Sequence, residues 1–152
     1  MSSKTLKIYT DGCCLGNPGL GGWAYVMWWD NFSREGSGCE KITTNNRMEL
    51  RAVVEALLAV KRKVQIEVFT DSMYVRNGID TWIYTWKANG WRRHDNKPVK
   101  NVDLWQKLDK LVRKYEARFN WIPGHSAIPQ NERADWLARQ AAISVRRNET
   151  QV

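Results

Sequence analysis

The spacing of apolar and polar residues predicts three β-strands in the first third of the chain. Short stretches either alternate between apolar and polar residues or are rich in aromatic and β-branched residues, at residues 5–10, 23–29 and 39–44. Glycine is frequent over residues 12–22, which contain Asn17-Pro18-Gly19, so we expect the chain to turn there. The three strands are expected to pair as an antiparallel meander.

From residue 45 onward the chain alternates helical and strand patterns. Apolar residues at i, i+3, i+4, i+7 and i+8 predict an amphipathic helix: Leu50, Val53, Val54, Leu57 and Leu58. The further elements predicted in order are a buried strand at 64–70, one or two short helices at 72–86, an irregular basic segment at 88–101, a helix at 104–115, a strand at 118–122 and a helix at 134–145 with Asn131 as its N-cap. The strand–helix–strand order implies a right-handed parallel crossover, so the pattern predicts a mixed-sheet α/β domain.

Length and composition are those of one ordinary globular domain. The chain has 152 residues, of which 43% are hydrophobic and 26% charged. We expect a single domain over residues 1–152, in which residues 144–152 carry no motif and form a flexible tail. No apolar run approaches the roughly 18 residues of a membrane span, and Met1-Ser2-Ser3-Lys4 has no signal-peptide core behind it. We therefore expect neither membrane insertion nor export.

Cysteine usage points to a reducing compartment. Cys13, Cys14 and Cys39 are odd in number, two of them are adjacent, and their spacing does not resemble a zinc knuckle. We expect free thiols and a cytoplasmic location. Nothing in the sequence indicates an obligatory protein partner, and we expect a monomer.

Basic residues are concentrated in one part of the chain. The formal net charge is +8, and residues 87–114 hold nine basic and three acidic residues, which is +6 of that total. A concentrated basic patch attracts a polyanion, most often nucleic acid. A solvated helix face and a solubilising loop would have the same composition, so charge alone does not decide between these interpretations.

One local pattern occurs twice and carries an aspartate each time. Residues 8–12 are Ile-Tyr-Thr-Asp-Gly, and residues 68–72 are Val-Phe-Thr-Asp-Ser. Asp11 and Asp71 therefore lie at the carboxyl ends of two strands, where open α/β sheets bind ligands. If the strands are neighbours, the two carboxylates need a proton or a cation between them. Either aspartate alone could be an ordinary turn former, but the repeated pattern favours a site.

Two further carboxylates complete an oxygen-only set. Glu49 lies on a flank of its predicted helix that should be covered, where a buried carboxylate needs compensation; alternatively it belongs to a capping box. Asp135 lies in the first turns of the last helix, where it either complements the helix dipole or joins the cluster. Oxygen ligands without paired cysteines or histidines suit Mg²⁺ or Mn²⁺ better than zinc.

His125 is the candidate proton-transfer residue. It lies in Pro123-Gly124-His125-Ser126, a turn between the last strand and the last helix. A histidine on a loop beside carboxylates suits proton transfer, although a lone loop histidine often has no such role.

Six motifs together resemble bacterial type I ribonuclease H. They match in order and spacing from about residue 4 to residue 142: Tyr9-Thr10-Asp11-Gly12, Gly16-Asn17-Pro18-Gly19, Thr44-Asn45-Asn46-Arg47-Met48-Glu49-Leu50, Thr70-Asp71-Ser72-x-Tyr74-Val75, Gly124-His125 and Asn131-Glu132-Arg133-Ala134-Asp135-x-Leu137-Ala138. The basic segment that ends in Lys97-Pro98-Val99-Lys100-Asn101 resembles that family's basic protrusion.

The resemblance implies a five-stranded mixed sheet of order 3-2-1-4-5, with strand 2 antiparallel, flanked by helices. It implies hydrolysis of the RNA strand of RNA–DNA hybrids, largely independent of sequence, leaving 3′-hydroxyl and 5′-phosphate ends. It assigns metal binding to Asp11, Glu49, Asp71 and Asp135, and a catalytic role to His125. Two Mg²⁺ ions, or Mn²⁺ as a substitute, would act with substrate bound, with Asp11 bridging both.

The resemblance also implies a set of contacts with the hybrid. The residues that would line its minor groove and sense the RNA are Cys14, Asn17, Asn45, Asn46 and Met73. Thr44 and Asn17 would hold a DNA phosphate, and Trp82 would pack on deoxyribose. The cations that would add salt-sensitive affinity are Lys87, Arg92, Arg93, Lys97 and Lys100. Turn and cap formation alone would also account for the asparagines.

Two other functions remain open on the sequence. Another two-metal nuclease or a transposase on a related scaffold would cleave plain duplex DNA and leave the hybrid intact. A non-catalytic nucleic-acid-binding module, in which the acidic residues are structural, would bind the hybrid without cleaving it.

Overall fold

A computed structural model of the chain describes residues 5–124 and 127–150, with side chains described as far as residue 144. The strands are β1 Thr5–Leu15, β2 Gly19–Trp29, β3 Phe32–Thr43, β4 Gln65–Thr70 and β5 Arg118–Trp121. The helices are α1 Asn45–Ala59, α2 Met73–Asn77, α3 Ile83–Ala88, α4 Val102–Tyr115 and α5 Pro129–Thr150, with a π-helical turn, Gly78–Trp82, between α2 and α3. In the described part of the chain, no helix combines the length and apolar character needed to cross a bilayer.

The five strands form one sheet of order β3-β2-β1-β4-β5. β2 is antiparallel to both β1 and β3, whereas β1, β4 and β5 are parallel. This arrangement confirms the predicted mixed sheet and its strand order. Because β1 and β4 are parallel neighbours, β4 ends beside Thr10 and Asp11 at one edge of the sheet. β1 itself continues to Leu15, so the prediction that Asp11 lies at the carboxyl end of its strand is wrong.

Helices cover both faces of the sheet. Alternate residues of β1 point to opposite sides: Ile8 belongs to the main core under α1 and α4, and Tyr9 to a smaller cluster under α5. The main core includes Trp105 of α4, whose side chain is fully buried. The sheet edge is therefore framed by α1 on one side and α5 on the other.

Two strands extend well beyond their predicted ends. β1 continues to Leu15 and β2 starts at Gly19, so the turn predicted over residues 12–22 is confined to residues 16–18. A Cβ atom on Gly22 would overlap the backbone of Ala138 and Ala142, so this glycine permits α5 to approach β2 rather than forming a turn. β3 starts at Phe32, seven residues before the predicted start at residue 39. The pattern missed its first half because that half is exposed and has no apolar alternation.

The start of the last helix differs from the prediction. α5 begins at Pro129, and the Glu132 amide donates to the Ile128 carbonyl (3.0 Å), so the prediction that Asn131 is the N-cap is wrong. Proline at the first helical position needs no N–H partner, which makes it a start signal as good as an Asx cap. Asn131 is instead buried in the first turn. The helix runs to Thr150 and so includes residues 144–150 of the expected tail.

Candidate active site

Sheet register places two of the candidate carboxylates side by side. Tyr9 of β1 pairs with Phe69 of β4, and their rings stack with centroids 4.7 Å apart. Asp11 and Asp71 each follow two residues later, at the shared edge of the sheet. The repeated pattern found in the sequence therefore corresponds to two adjacent parallel strands.

Helix α1 brings Glu49 to the same place. Its N-cap is Thr44, whose hydroxyl accepts the Arg47 amide (3.2 Å). A Cβ atom on Gly12 would overlap the backbone of Met48 and Glu49, so the glycine after Asp11 allows the helix to pack directly on β1. Carboxylate oxygens of Asp11, Glu49 and Asp71 all lie within 4.8 Å of one another.

The capping-box interpretation of Glu49 is wrong. Counted from the Thr44 N-cap, the residue three positions on is Arg47, so Glu49 lies beyond the position that a capping box uses. Its carboxylate instead accepts hydrogen bonds from the side chains of Ser72 and Asn45. The Ser72 hydroxyl in turn accepts the Val75 amide at 3.1 Å, which fixes the hydroxyl's orientation at the start of α2.

Crowding of these acids changes their ionisation. Burial, the hydrogen bond with Asp135 and the charges of Asp71, Asp135 and Glu49 raise the pKa of Asp11 to about 9. Burial and the charge of Asp71 raise the pKa of Glu49 to about 7, against the hydrogen bonds from Ser72 and Asn45, which lower it. The cluster therefore favours bound protons or a bound cation over a set of free carboxylates.

Asp135 lies beside Asp11 rather than within the group of three. The two carboxyl groups are hydrogen-bonded, and Arg139 Nη2 lies 3.7 Å from Asp135 Oδ2. The Asp135 side chain is 40% exposed, so it borders the cluster on the solvent side. The structure thus brings Asp11, Glu49 and Asp71 together and adds Asp135 at their rim.

His125 lies outside the described residues. The residue before it, Gly124, is next to the cluster: a Cβ atom there would lie 3.4 Å from an Asp71 oxygen. Asp71, Gly124 and Met73 line a cavity of about 350 Å³, and the Arg76 guanidinium lies over the ring of Trp121 on the same wall. The loop therefore begins against the carboxylates.

A larger cavity of about 680 Å³ adjoins the start of α1. Its walls come from the β1–β2 turn, the start of α1, the region from α2 to α3 and the basic segment: Asn17, Thr44, Asn45, Asn46, Tyr74, Trp82, Trp86, Arg93, Val99, Lys100 and Asn101. Seven of these are predicted hybrid contacts: Asn17, Thr44, Asn45, Asn46, Trp82, Arg93 and Lys100. Asn17 also accepts the Asn45 amide (3.0 Å), so it joins the turn to the helix start.

The other predicted contacts lie outside this cavity. The Cys14 thiol lies 3.0 Å from the Gly16 carbonyl oxygen, within the turn. Met73 is 61% exposed beside Asp71. Lys87 pairs with Asp109 of α4 at 3.4 Å, Arg92 donates to the Asn96 carbonyl at 2.9 Å, and Lys97 is exposed in the same basic segment. Seven of the twelve predicted hybrid contacts therefore line the larger cavity, and the other five lie outside it.

Comparison with known proteins gives one consistent answer. The RNase H family model matches residues 3–143. The chain is 49% identical over 146 residues to a ribonuclease H of Bartonella bacilliformis, covering 96% of this chain and 94% of that protein. Among solved structures, LC9-RNase H1 is 30% identical with a TM-score of 0.83, covering 95% of this chain and 74% of that one. LC11-RNase H1, solved in complex with an RNA/DNA hybrid, is 24% identical with a TM-score of 0.68, covers 92% of this chain and 98% of that one, and supports the fold.

The chain belongs to the ribonuclease H family. Sequence reasoning about this ribonuclease H missed several residues of the larger cavity as candidates, notably Tyr74, Trp86, Val99 and Asn101. Tyr74 lies in the same motif as Asp71, which was an available signal. Asn101 adopts a left-handed conformation (φ 58°) between the basic segment and α4, and its sequence context gives no hint of that.

Proposed function

We propose that this chain hydrolyses the RNA strand of RNA–DNA hybrids by metal-ion catalysis at Asp11, Glu49 and Asp71. Membership of the ribonuclease H family makes it an endoribonuclease of such hybrids. The observation that carries the location of the chemistry is the convergence of three carboxylates within 4.8 Å at the sheet edge. The expected products have 3′-hydroxyl and 5′-phosphate ends.

The donor set fits a hard divalent cation. All three groups offer oxygen, and the described part of the cluster contains no cysteine or histidine ligand. We infer that the cation is Mg²⁺, with two ions when substrate is bound and Mn²⁺ as a substitute. When bound, such ions supply activation of the attacking water and charge stabilisation for the leaving 3′ oxygen.

The protein's own residues prepare this site. Asp11 is central because it lies within reach of Glu49, Asp71 and Asp135. Ser72 and Asn45 hold Glu49 in place through hydrogen bonds to its carboxylate. We assign His125 to proton movement or product release, since its neighbour Gly124 lies against Asp71. Asp135 completes the acidic set from α5.

The larger cavity is the proposed seat of the DNA strand. Trp82 and Trp86 present an apolar wall that suits deoxyribose, where a 2′-hydroxyl would lose its hydration. Arg93 and Lys100, which line the same cavity, supply positive charge for the phosphates. Asn45 and Asn46 line this cavity at the start of α1, the helix that carries Glu49, and we assign them to the minor groove, where they would sense the RNA.

The monomeric state and the cytoplasmic location remain proposals of ours. The free thiols of Cys13, Cys14 and Cys39 are compatible with a reducing compartment. Sedimentation would test the monomer, and cell fractionation would test the location.

One cleavage assay tests the function. A uniform RNA–DNA hybrid with a labelled RNA strand is incubated with Mg²⁺, with Mn²⁺ and with EDTA, beside double-stranded RNA and double-stranded DNA. We expect cuts in the RNA of the hybrid with either metal, none with EDTA and negligible cutting of double-stranded RNA. Cleavage of DNA with an intact hybrid would favour another two-metal nuclease. Tight hybrid binding without cleavage would favour a binding module.

A further inference from the structure

Tyr74 lines the larger cavity and has not been given a role so far. It lies in the first turn of α2, three residues after Asp71, and lines the cavity together with Trp82 and Asn101. Its ring contacts Trp82 edge-on (centroids 5.8 Å apart) and Trp105 at a tilt (5.4 Å). Since Trp105 is fully buried, the ring is held against the core.

The Tyr74 oxygen accepts two hydrogen bonds from groups that can only donate. The Asn101 Nδ2 amide group and the Trp105 Nε1–H group both lie 3.0 Å from it. A phenolic hydroxyl has one hydrogen to donate and an oxygen that accepts, and this oxygen already accepts two bonds. Its accepting capacity is therefore in use, and only the donor remains.

The orientation of the Asn101 amide follows from its other partner. Arg47 Nη1 donates to Asn101 Oδ1 at 3.3 Å, and a guanidinium has no acceptor, so the oxygen end must face Arg47 and the NH₂ end must face Tyr74. Arg47 is itself fixed by a two-point contact with Asp103, at 3.1 and 2.9 Å, and by Glu40 at 3.1 Å. The direction of donation is thus set from outside the cavity.

We propose that the Tyr74 hydroxyl donates a hydrogen bond to a backbone phosphate oxygen of the DNA strand. This inference rests on the proposed function, which places that strand in the cavity. Among the described residues, the hydrogen bonds give the Tyr74 hydroxyl hydrogen no acceptor. Phosphate oxygens are anionic acceptors without hydrogens, and Arg93 and Lys100 on the same cavity draw them in. Tyr74 is therefore a DNA-binding residue, and Asn101, Trp105 and Arg47 are positioning residues that keep its hydroxyl a donor.

The direct test is Tyr74→Phe, which removes the hydroxyl and keeps the ring. We expect the Kd for the hybrid and the KM to rise about tenfold, with kcat unchanged, since the lost bond is to a charged acceptor in ground state and transition state alike. Tyr84→Phe is the matched control, because Tyr84 is 68% exposed on α3 outside the cavity. Unchanged KM and Kd in Tyr74→Phe would overturn the proposal.

A purely structural role for the hydroxyl has to be separated from contact with DNA. Removing the oxygen leaves the Asn101 and Trp105 donors without an acceptor, so some loss of stability is expected in either case. A scan with single neutral methylphosphonate linkages along the DNA strand separates the two, because it changes the ligand and not the protein. At one linkage we expect the methylphosphonate to weaken binding by wild type but to have little effect on binding by Tyr74→Phe, which has already lost that contact. The effects of the two changes are then not additive.

Additive losses at every DNA linkage would overturn the contact, even if KM rises. The wild-type scan also stands alone: if no methylphosphonate in the DNA strand weakens binding, the proposal fails without any variant. Failure of the proposed function has a different signature, since wild-type protein would then leave the hybrid uncut. The two results are therefore distinguishable in one set of assays.

Discussion

The carboxylate cluster and the basic segment of residues 88–101 are built in opposite ways. The cluster draws its side chains from regular elements: Asp11 lies within β1, Glu49 near the start of α1 and Asp71 directly after β4, and the Asp11 residue is only 9% exposed. The basic segment is irregular, with left-handed backbone at Gly90, Trp91 and Asn96, and most of its side chains are exposed. The carboxylates are partly buried and electrostatically coupled to one another, whereas the basic segment is open to solvent.

The difference in construction fits the roles that we propose for the two regions. Positioning of charge for a reaction requires fixed geometry, so the cluster is anchored where helix and sheet backbones touch, at Gly12. Attraction of a phosphate backbone requires only that cations lie near it. The cluster should therefore respond to single substitutions in an all-or-none way, and the basic segment in small additive steps.

The sharpest contrast is expected from Asp71→Asn. Loss of one of three converging carboxylates should lower kcat by about three orders of magnitude or more, which is several kcal/mol of transition-state stabilisation, while hybrid affinity stays close to wild type. Single-turnover cleavage and a separate binding measurement check the two parts. Glu132→Gln, an exposed acid at the start of α5, is the control and should be fully active. An active Asp71→Asn protein would refute the metal assignment.

The second expected effect is that of Asp11→Asn on stability: the variant should be more stable than wild type without metal, although it should lose activity. Asp11 has a folded pKa of about 9 against an ordinary value of 3.8, so the folded state holds a proton that the unfolded state releases. Without metal, stability should therefore fall as pH rises from about 4 to about 9. Asp11→Asn removes this penalty and should stabilise the metal-free protein by roughly 2–3 kcal/mol at pH 7, or about 5–10 °C in Tm.

Thermal melts in EDTA at pH 5, 7 and 9 check this prediction. The difference in Tm between Asp11→Asn and wild type should shrink at pH 5, where the raised pKa of Asp11 lowers the free energy of unfolding less than at pH 7. Added Mg²⁺ should raise the Tm of wild type more than that of the variant. Glu49, with a pKa of about 7, leaves a smaller slope below neutral pH in the variant. An Asp11→Asn protein that is less stable than wild type in EDTA would show that burial and crowding do not strain the site.

Much of the cluster was predictable because it depends on regular elements. The repeated Tyr-Thr-Asp and Phe-Thr-Asp patterns identify two strands, and parallel pairing of Tyr9 with Phe69 brings Asp11 beside Asp71, although only Asp71 follows the end of its strand. The apolar stripe of α1 likewise indicates that Glu49 lies on a covered flank. Strand order could be expected from the family resemblance, and the structure confirms it.

The remaining features depend on contacts that local patterns do not encode. Gly22 looks like a turn residue in sequence, but it lies in β2 because Ala138 of α5 packs against it. Asn131 has the chemistry of a cap, yet Pro129 starts the helix two residues earlier. Asn101 lines the larger cavity with a left-handed backbone and a hydrogen bond to Tyr74, neither of which its sequence context indicates. Each of these features depends on contacts between elements that are distant in the sequence or on backbone conformation, and local patterns do not report either.

His125→Ala tests the catalytic role that we propose for this residue. Because we assign this loop residue to proton transfer beside the cluster, its removal should slow turnover by roughly 10- to 100-fold without abolishing it. The pH–rate profile of kcat should also change shape, which a merely structural loop residue would not cause. His94→Ala, in the exposed basic segment, is the control and should behave as wild type. Complete loss of activity would give His125 a larger role than we assign.

The smallest effects are expected from the basic segment. Arg93 borders the larger cavity but is paired with Asp95 at 2.8 Å, and Arg92 donates to the Asn96 carbonyl, so part of each cation's interaction is already used within the segment. Changing Arg92, Arg93 and Lys97 to Gln together should therefore raise KM by only about tenfold at low salt, with kcat unchanged. Its salt dependence should flatten, because fewer counterions are released when the hybrid binds.

A matched triple variant shows whether position or total charge matters. Lys61, Arg62 and Lys63 form an exposed run just before β4, whose start lies at the sheet end opposite the carboxylates, and changing all three to Gln removes the same charge. If the basic segment binds phosphates directly, this control should change KM much less, since a screened charge acts over only about 10 Å at 0.1 M salt. Equal changes in the two triple variants would mean that net charge alone attracts the hybrid. The proposal that the basic segment contacts the phosphates directly would then be wrong, and the comparison with the carboxylate cluster would no longer hold.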